Sequence, residues 1–161
     1  FTRNIGKTRV DGIELGVNGN ITEKWAVSAG YTYLDSEIVD AGFVKDTSGN
    51  YVPSPTNGNQ VQNVAKNSAT LWTTYQVLPD LTLGAGAVAM DKVYGNATNT
   101  KWVPGYVRYD AMARYNVNKN VDLQLNVNNL SDKRYFTKAY SSHYATEAEG
   151  RSAVLSVNFK Y

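Results

Sequence analysis

The sequence predicts an all-β fold, an antiparallel transmembrane β-barrel to which these 161 residues contribute seven strands. Seven segments alternate apolar and polar side chains with a period of two, as strands with one apolar and one polar face do. Tight turns and long polar links follow one another in strict alternation. A soluble sandwich also has period-two strands, but only a membrane barrel explains why every long connection falls at one end.

The predicted strands are mostly longer than the five or six residues typical of soluble sheets. In chain order they cover residues 9–21, 25–33, 66–77, 81 onward, 107–117, 121–128 and 151–161. Tight turns occupy residues 22–24, 78–80 and 118–120, where Pro79 ends strand pairing in the second turn. The long links cover roughly residues 36–65, 92–104 and 131–150.

Each strand is justified by its own alternation. The first three strands place on the apolar face Ile13, Leu15, Val17, Ile21, Trp25, Val27, Ala29, Tyr31, Tyr33, Ala69, Leu71, Tyr75 and Val77. The fourth begins with Leu81 and Leu83 and continues into glycine and alanine. The last three place there Val107, Tyr109, Ala111, Ala113, Tyr115, Val121, Leu123, Leu125, Val127, Ala153, Leu155, Val157, Phe159 and Tyr161. The other face is polar or small and carries the charges Arg108, Asp110 and Arg114.

Aromatic residues of the apolar face cluster near both strand ends. Trp25, Tyr75, Tyr115, Phe159 and Tyr161 lie near tight turns or the C-terminus, and Tyr31, Tyr33 and Tyr109 lie toward the long links. Such rings favour the border between hydrocarbon and water, so two aromatic girdles are predicted. A single-chain bacterial barrel has an even number of strands, so seven strands predict one part of a larger barrel, in which residues 1–161 form one unit.

Composition argues against several functions. The chain has no cysteine and one histidine, so disulfides, thiolate metal sites and protein-borne zinc chemistry are not expected. A formal net charge of +2, without a run of like charges, does not favour nucleic acid as a partner.

Several motifs resemble the C-terminal barrel region of TonB-dependent outer-membrane receptors. Residues 127–135, read as VNNLSDKRY, resemble the signature V-x-N-L-x-D-K-x-Y, and residues 9–15 are similar to the family strand R-x-x-G-x-E-L. Residues 28–35 and 103–111 resemble the siderophore branch, and the ending 150–161 resembles the family's last strand. The run Ser142 to Ala145, followed by GRS at 150–152, favours the catecholate siderophore receptors within that branch.

The resemblance implies more than the periodicity does. It implies a plugged barrel of 22 strands, of which this chain is the C-terminal seven, in the outer membrane of a Gram-negative bacterium. It implies uptake of ferric siderophore as cargo, powered by the TonB complex through an N-terminal region absent from this sequence, with no cofactor or metal ligand set of its own. It further implies contact with lipid and lipopolysaccharide, and recognition of Phe159 and Tyr161 by the barrel-assembly machinery.

A ferric catecholate is anionic and aromatic, so its receptor needs cations and flat rings near the extracellular mouth. The second and third links offer Lys92, Tyr94, Lys101, Trp102, Lys138, Tyr140, His143 and Tyr144, and the first offers Lys45 and Tyr51. The charges Arg108, Asp110 and Arg114 either guide anionic cargo or, as we favour, pair with one another and with the plug.

Other interpretations fit less well. GAGAVA at residues 84–89 matches a dinucleotide-binding pattern and GKT at residues 6–8 resembles the end of a phosphate loop, but neither has the required strand–helix context. Ser141 or Ser142 with His143 and Glu147 contains the residue types of a hydrolase, yet neighbours on one loop rarely reach triad geometry. A small barrel with a structural, adhesive or porin-like role would require an eighth strand. An enzyme is therefore not expected.

Overall fold

Seven long strands form one antiparallel sheet in which chain neighbours are also sheet neighbours. The computed structural model describes residues 6–141 and 143–160. The seven strands are β1 (Lys7–Thr22), β2 (Trp25–Asp40), β5 (Asn67–Leu78), β6 (Leu81–Met90), β9 (Tyr106–Asn116), β10 (Val121–Asn128) and β13 (Ser152–Phe159). Within those residues, no helix has the length and apolar character needed to cross a bilayer. The predicted all-β antiparallel class is confirmed.

The strand register keeps the two faces separate. Leu15 pairs with Tyr31, Leu71 with Ala87 and Leu125 with Leu155, so odd-numbered positions meet odd-numbered positions across the sheet. This odd-numbered face, called here the outer face, exposes large apolar side chains, with 61% of Ile13 and 66% of Leu155 accessible. A soluble sheet buries such a face, whereas a barrel wall turns it toward lipid.

The first hairpin is longer than the sequence pattern predicts. Strand β2 continues past Tyr33 to Asp40 and pairs with residues from Lys7 onward in β1, so the first long link begins at residue 41 instead of about 36. Beyond Tyr33 the polarity of the faces reverses, because Leu34 and Ile38 take the inner face while the outer face becomes charged. The period-two pattern is interrupted where the apolar residues move from one face of the strand to the other, so the sequence does not show that the strand continues.

The sequence pattern shows no strands in the long links, but the structure does. Each contains a two-stranded hairpin, formed by β3 (Phe43–Lys45) with β4 (Tyr51–Pro53), β7 (Val93–Tyr94) with β8 (Trp102–Val103), and β11 (Phe136–Tyr140) with β12 (Tyr144–Glu147). These strands have two to five residues, too few for period-two alternation to appear. Backbone pairing therefore holds the links in defined shapes.

The small residues of β6 make room for a large side chain of the neighbouring strand. The indole of Trp72 on β5 lies over Gly84 and Gly86. A Cβ added at Gly86 would collide with the Trp72 ring and lie 2.9 Å from the Leu71 carbonyl oxygen. The glycines therefore accommodate an inward-facing tryptophan of the neighbouring strand.

Aromatic residues lie on the outer face near both strand ends. Trp25 pairs with Tyr75 near the tight turns, and its Nε1 donates a 2.8 Å hydrogen bond to Thr73 Oγ1. Tyr31, which lies midway along β2 but level with the start of β5, donates from its hydroxyl to Asn67 Oδ1 at 2.6 Å. Of the predicted girdle residues, Tyr161 lies outside the described residues.

Candidate ligand-binding surface at the long-loop edge

The three long links pack together and form one surface at one end of the strands. This end of the sheet is called here the long-loop edge. Asn63 of the first link holds Ala139 of the third through two hydrogen bonds, from Asn63 Nδ2 to Ala139 O at 3.0 Å and from Ala139 N to Asn63 Oδ1 at 2.9 Å. The Asn63 amide N–H also donates to Tyr94 O of the second link at 2.9 Å. One asparagine therefore joins all three links.

A second amide clamp ties the first link to the second. Asn99 Oδ1 accepts a 2.8 Å hydrogen bond from Gln60 N, and Asn99 Nδ2 donates to Gln60 O at 2.9 Å. Beneath these clamps Val93, Val103 and Ala139 form a buried apolar cluster between the second and third links. The links therefore pack against one another through a small apolar core of their own.

Within this surface the structure brings together three of the predicted residues. The Lys92 ammonium lies 4.9 Å from the Tyr94 ring centre and 5.9 Å from the Trp102 ring centre. Both distances are within cation–π range. Trp102 is 56% exposed, so its ring remains open to a ligand. Lys101, the fourth candidate of this link, lies beside them in the turn, where its carbonyl accepts from Gly95 N at 2.9 Å.

The third link presents two stacked tyrosines. The rings of Tyr140 and Tyr144 lie 4.9 Å apart with an interplanar angle of 23°, and 67% of Tyr144 is exposed. His143 lies in the turn between them, and its amide N–H contacts the Tyr140 carbonyl oxygen at 3.3 Å. Lys138 is exposed on β11 opposite Thr146. The link therefore offers a flat aromatic pair with a cation nearby along the strand.

The first link carries a further cation and ring at its tip. Lys45 Nζ lies 5.3 Å from the centre of the Tyr51 ring, which is 70% exposed. The turn between them is held by Asp46, whose Oδ1 accepts from the amides of Ser48 and Asn50 at 2.9 Å and 2.8 Å. The hydrogen bond from the Asn50 backbone is the main reason that the pKa of Asp46 is lowered.

The inner-face charges of β9 separate into a pair and a single cation. Arg108 donates to Asp110 Oδ2 from Nε at 3.1 Å and from Nη2 at 2.8 Å, and Asp110 Oδ1 accepts from Asn129 N at 2.8 Å. Arg108 Nη1 also reaches the Tyr135 hydroxyl at 3.2 Å. Arg114 forms no ion pair and no hydrogen bond within residues 6–141 and 143–160. The three charges therefore do not act as one group.

Sequence reasoning missed Asn63 and Asn99, and it gave no structural role to Asn129 and Tyr135, which lie in the motif at residues 127–135. The ring of Tyr135 is buried and lies 4.1 Å from that of Tyr106, which links the third loop to the top of β9. Positive φ angles at Asn63, Asn99 and Asn129 mark tight local turns, a conformation that asparagine tolerates better than most residues. An asparagine in a polar loop gives no periodic signal, so only the fold reveals these clamps.

The described residues give none of the alternative chemistries a matching geometry. The acid of the possible triad, Glu147, is held by Arg134 through 2.6 Å and 2.9 Å hydrogen bonds, and Ser142 lies outside the described residues. Residues 84–89 lie inside strand β6, and strand β1 begins at Lys7, where a phosphate loop requires a helix. In the part of the chain that the structure describes, no three acidic or histidine side chains gather as metal ligands.

An exposed apolar outer face, a polar inner face and packed loops at one edge are the features of the wall of a transmembrane β-barrel. A family model described as "TonB dependent receptor-like, beta-barrel" matches residues 1–130. The chain belongs to this family of TonB-dependent receptors.

Individual relatives agree with this assignment. The chain is 72% identical over 158 residues to a probable TonB-dependent siderophore receptor, PiuA, of Acinetobacter baumannii, covering 98% of this chain and 21% of that protein. It is 33% identical to the catecholate siderophore receptor Fiu of Escherichia coli K12, covering 97% of this chain and 20% of the relative. The crystal structure of the Acinetobacter baumannii receptor superposes with a TM-score of 0.89 at 73% identity, covering 98% of this chain and 22% of that one. The chain thus spans about one fifth of the length of these relatives.

Proposed function

We propose that this chain forms part of the barrel wall and the ligand-capturing mouth of an outer-membrane receptor that takes up ferric siderophores, of the catecholate type. The observation that carries the proposal is the cluster of Lys92, Tyr94 and Trp102 on a link that packs, through Val93, Val103 and Ala139, against the link that carries the tyrosine pair. A ferric tris-catecholate presents flat rings and a negative charge, which rings and ammonium groups attract.

Capture and transport are separate steps in this proposal. The loop residues bind the ferric complex at the extracellular side, and the siderophore keeps the iron chelated, so none of them is a metal ligand. Energy from the TonB complex, received by the N-terminal plug, opens the path through the lumen. Arg114 on the inner face pairs with a plug carboxylate in the resting state, because a lumen cation in a plugged barrel requires a partner. The proposal assigns transport to the protein and no catalytic step.

Barrel assembly and lipid contact complete the proposal. Phe159 of β13 and the following Tyr161 belong to the segment that the barrel-assembly machinery reads in the outer membrane of a Gram-negative cell. The outer face then lies against the acyl chains of phospholipid and lipopolysaccharide.

Binding of a synthetic ferric tris-catecholate to the purified full-length receptor tests the proposal. Replacing Lys92 by Gln removes a cation beside two rings, so we expect roughly a five- to thirtyfold weaker affinity, since one desolvated charge contact contributes about 1–2 kcal/mol. The affinity of the same variant for an uncharged ferric trihydroxamate should fall little. Lys119→Gln, in a tight turn at the opposite edge, is the matched control.

Two results would contradict the proposal. Unchanged tris-catecholate affinity in both Lys92→Gln and Trp102→Ala would remove the second link from the binding surface. Equal loss for the anionic and the uncharged complex would show that the substitution disturbs the loop and not the charge recognition.

A further inference from the structure

A cavity of about 320 Å³ opens on the outer face near the long-loop edge. The floor of the cavity lies below the surrounding side chains because two small residues, Ala69 of β5 and Ala89 of β6, pair with each other there. Tyr31 forms one wall and Val107 the other, on the flanking strands β2 and β9. Four adjacent strands thus contribute one row of side chains, with the two smallest in the middle.

The rim of the cavity toward the loops is polar and differs from its floor. Asn67 accepts from the Tyr31 hydroxyl and donates from Nδ2 to Asp91 Oδ2 at 2.6 Å, so these side chains satisfy one another. Lys133 lines the cavity from the third link. Its ammonium forms no ion pair or hydrogen bond with the part of the protein that the structure describes, in contrast to Asp91, whose carboxylate is held by Asn67.

The backbone of Lys133 is fixed, which makes the position of this cation reproducible. Its N–H donates to Asn129 Oδ1 at 2.9 Å, and its carbonyl accepts from Asn129 Nδ2 at 2.9 Å. Asn129 itself is only 1% exposed. A rigid attachment therefore places a flexible cationic side chain at the border between the apolar floor and the polar loops.

We infer that this cavity is a binding site for one phosphorylated lipid of the outer leaflet, with an acyl chain over Ala69 and Ala89 and a phosphate at Lys133. The occupant follows from the order of the chemistry along the membrane normal: apolar floor, tyrosine hydroxyl, then cation, which matches chain, ester region and phosphate. The inference rests on the outer-membrane placement proposed above, but not on the identity of the cargo.

Retention of diphosphorylated lipid A by the full-length receptor in detergent, counted by native mass spectrometry, tests the site. Lys133→Gln should weaken binding roughly fivefold, the equivalent of the about 1 kcal/mol that one cation contributes beside anionic headgroups. Ala89→Leu fills the floor and should also displace the lipid. Ala85→Leu is the matched control, because it lies on the outer face of the same strand but lines a separate hollow beside Trp25.

A second probe separates the headgroup from the chain. Dephosphorylated lipid A should respond to Ala89→Leu but not to Lys133→Gln. Unchanged lipid A retention in either Lys133→Gln or Ala89→Leu overturns the assignment, and so does an equal loss in Ala85→Leu, which would indicate nonspecific contact with the apolar face. Ferric tris-catecholate binding, measured on the same samples, reports on the proposed function separately and verifies that each variant is folded.

Discussion

Asn129 lies where strand β10 ends and the third long link begins. Its buried side chain accepts from Lys133 N at 2.9 Å and donates to Lys133 O at 2.9 Å and to Glu149 O at 3.3 Å. Nearby, Asp132 Oδ1 accepts from Arg151 N at 2.7 Å. The motif read in the sequence as V-x-N-L-x-D-K is therefore a structural turn that directs the chain from β10 into the third link and holds that link against the start of β13.

Replacing Asn129 by Ala should destabilise the protein. The substitution leaves backbone groups of Lys133 and Glu149 without their partners, so we expect a loss of about 3 kcal/mol in the free energy of unfolding. Thermal unfolding of the full-length receptor, followed by the mobility difference between folded and unfolded barrels in gel electrophoresis, measures the effect. Asn126→Ala, an inner-face change on the same strand, is the control.

A glycine variant separates backbone strain from hydrogen bonding at this position. The φ angle of Asn129 is +52°, a conformation that glycine adopts without a steric penalty. If the side-chain hydrogen bonds matter most, Asn129→Gly should be as unstable as Asn129→Ala. Near-native stability of the glycine variant would show that the position is constrained by φ alone.

Glu147 gives the third link a dependence on pH. The hydrogen bond from Arg134 is the main cause that lowers the pKa of Glu147 below its ordinary value. A lowered folded-state pKa means that the contribution is complete above the ordinary pKa of a glutamate and is lost as the pH falls through the lowered value. Amide exchange in β11 and β12 should therefore accelerate, relative to intrinsic rates, on acidification below about pH 4.

The matched variant for this effect is Glu147→Gln. In this variant the amides of β11 and β12 should exchange faster at neutral pH and should show no acid-dependent step. Added salt should reduce the difference in exchange rate between the two proteins, because the Arg134 and Glu147 side chains are exposed. An acid-dependent step that persists in Glu147→Gln would assign the titration to another group.

At the scale of elements, the sheet was predictable and the loop assembly was not. The strands have eight or more residues with one apolar face, so their alternation repeats enough times to be recognised, as in β5 and β9. The end of β2 was missed because its polarity reverses after Tyr33. The hairpins in the links depend on contacts such as Asn63 with Ala139, which are 76 residues apart and leave no local pattern.

The candidate site was predictable in composition and not in geometry. Cations and rings in the links suggested a surface for an anionic aromatic ligand, and the structure brings Lys92, Tyr94 and Trp102 together. It leaves Arg114 apart from the pair formed by Arg108 and Asp110, a difference that residue spacing on one strand does not reveal because rotamers and cross-strand partners decide it.

Asn63→Ala tests whether the links behave as one element. The substitution removes the two side-chain hydrogen bonds to Ala139 of the third link and keeps the backbone hydrogen bond to Tyr94 O. Because Ala139 packs against Val93 and Val103 of the second link, we expect faster amide exchange in β7, β8, β11 and β12 together. Hydrogen exchange with mass spectrometry reports each segment separately. Asn50→Ala, which breaks a contact only within the first hairpin, should affect that hairpin alone; faster exchange confined to the first link in Asn63→Ala would show that the links move independently.

At the scale of the whole molecule, the energetic cost of a substitution depends on what each face of the sheet contacts. Outer-face Leu125 pairs with Ala113 and Leu155 and is 41% exposed, whereas inner-face Gln124 lies between Arg114 and Ser156. In a soluble protein, both faces would meet water or a second layer of protein. In a barrel, one face meets hydrocarbon and the other a wet lumen, so the same substitution should have very different costs on adjacent residues.

Arginine scanning of β10 measures this difference. Leu123→Arg and Leu125→Arg should each weaken folding of the full-length receptor into lipid vesicles by roughly 2–4 kcal/mol, because a charge then faces hydrocarbon. Gln124→Arg should cost about 1 kcal/mol or less, from repulsion by its cross-strand neighbour Arg114. Urea titration of folding in vesicles gives all three values on one scale. Equal costs at the three positions would mean that the outer face does not meet lipid, and the barrel interpretation of the apolar face would then fail together with the lipid site that depends on it.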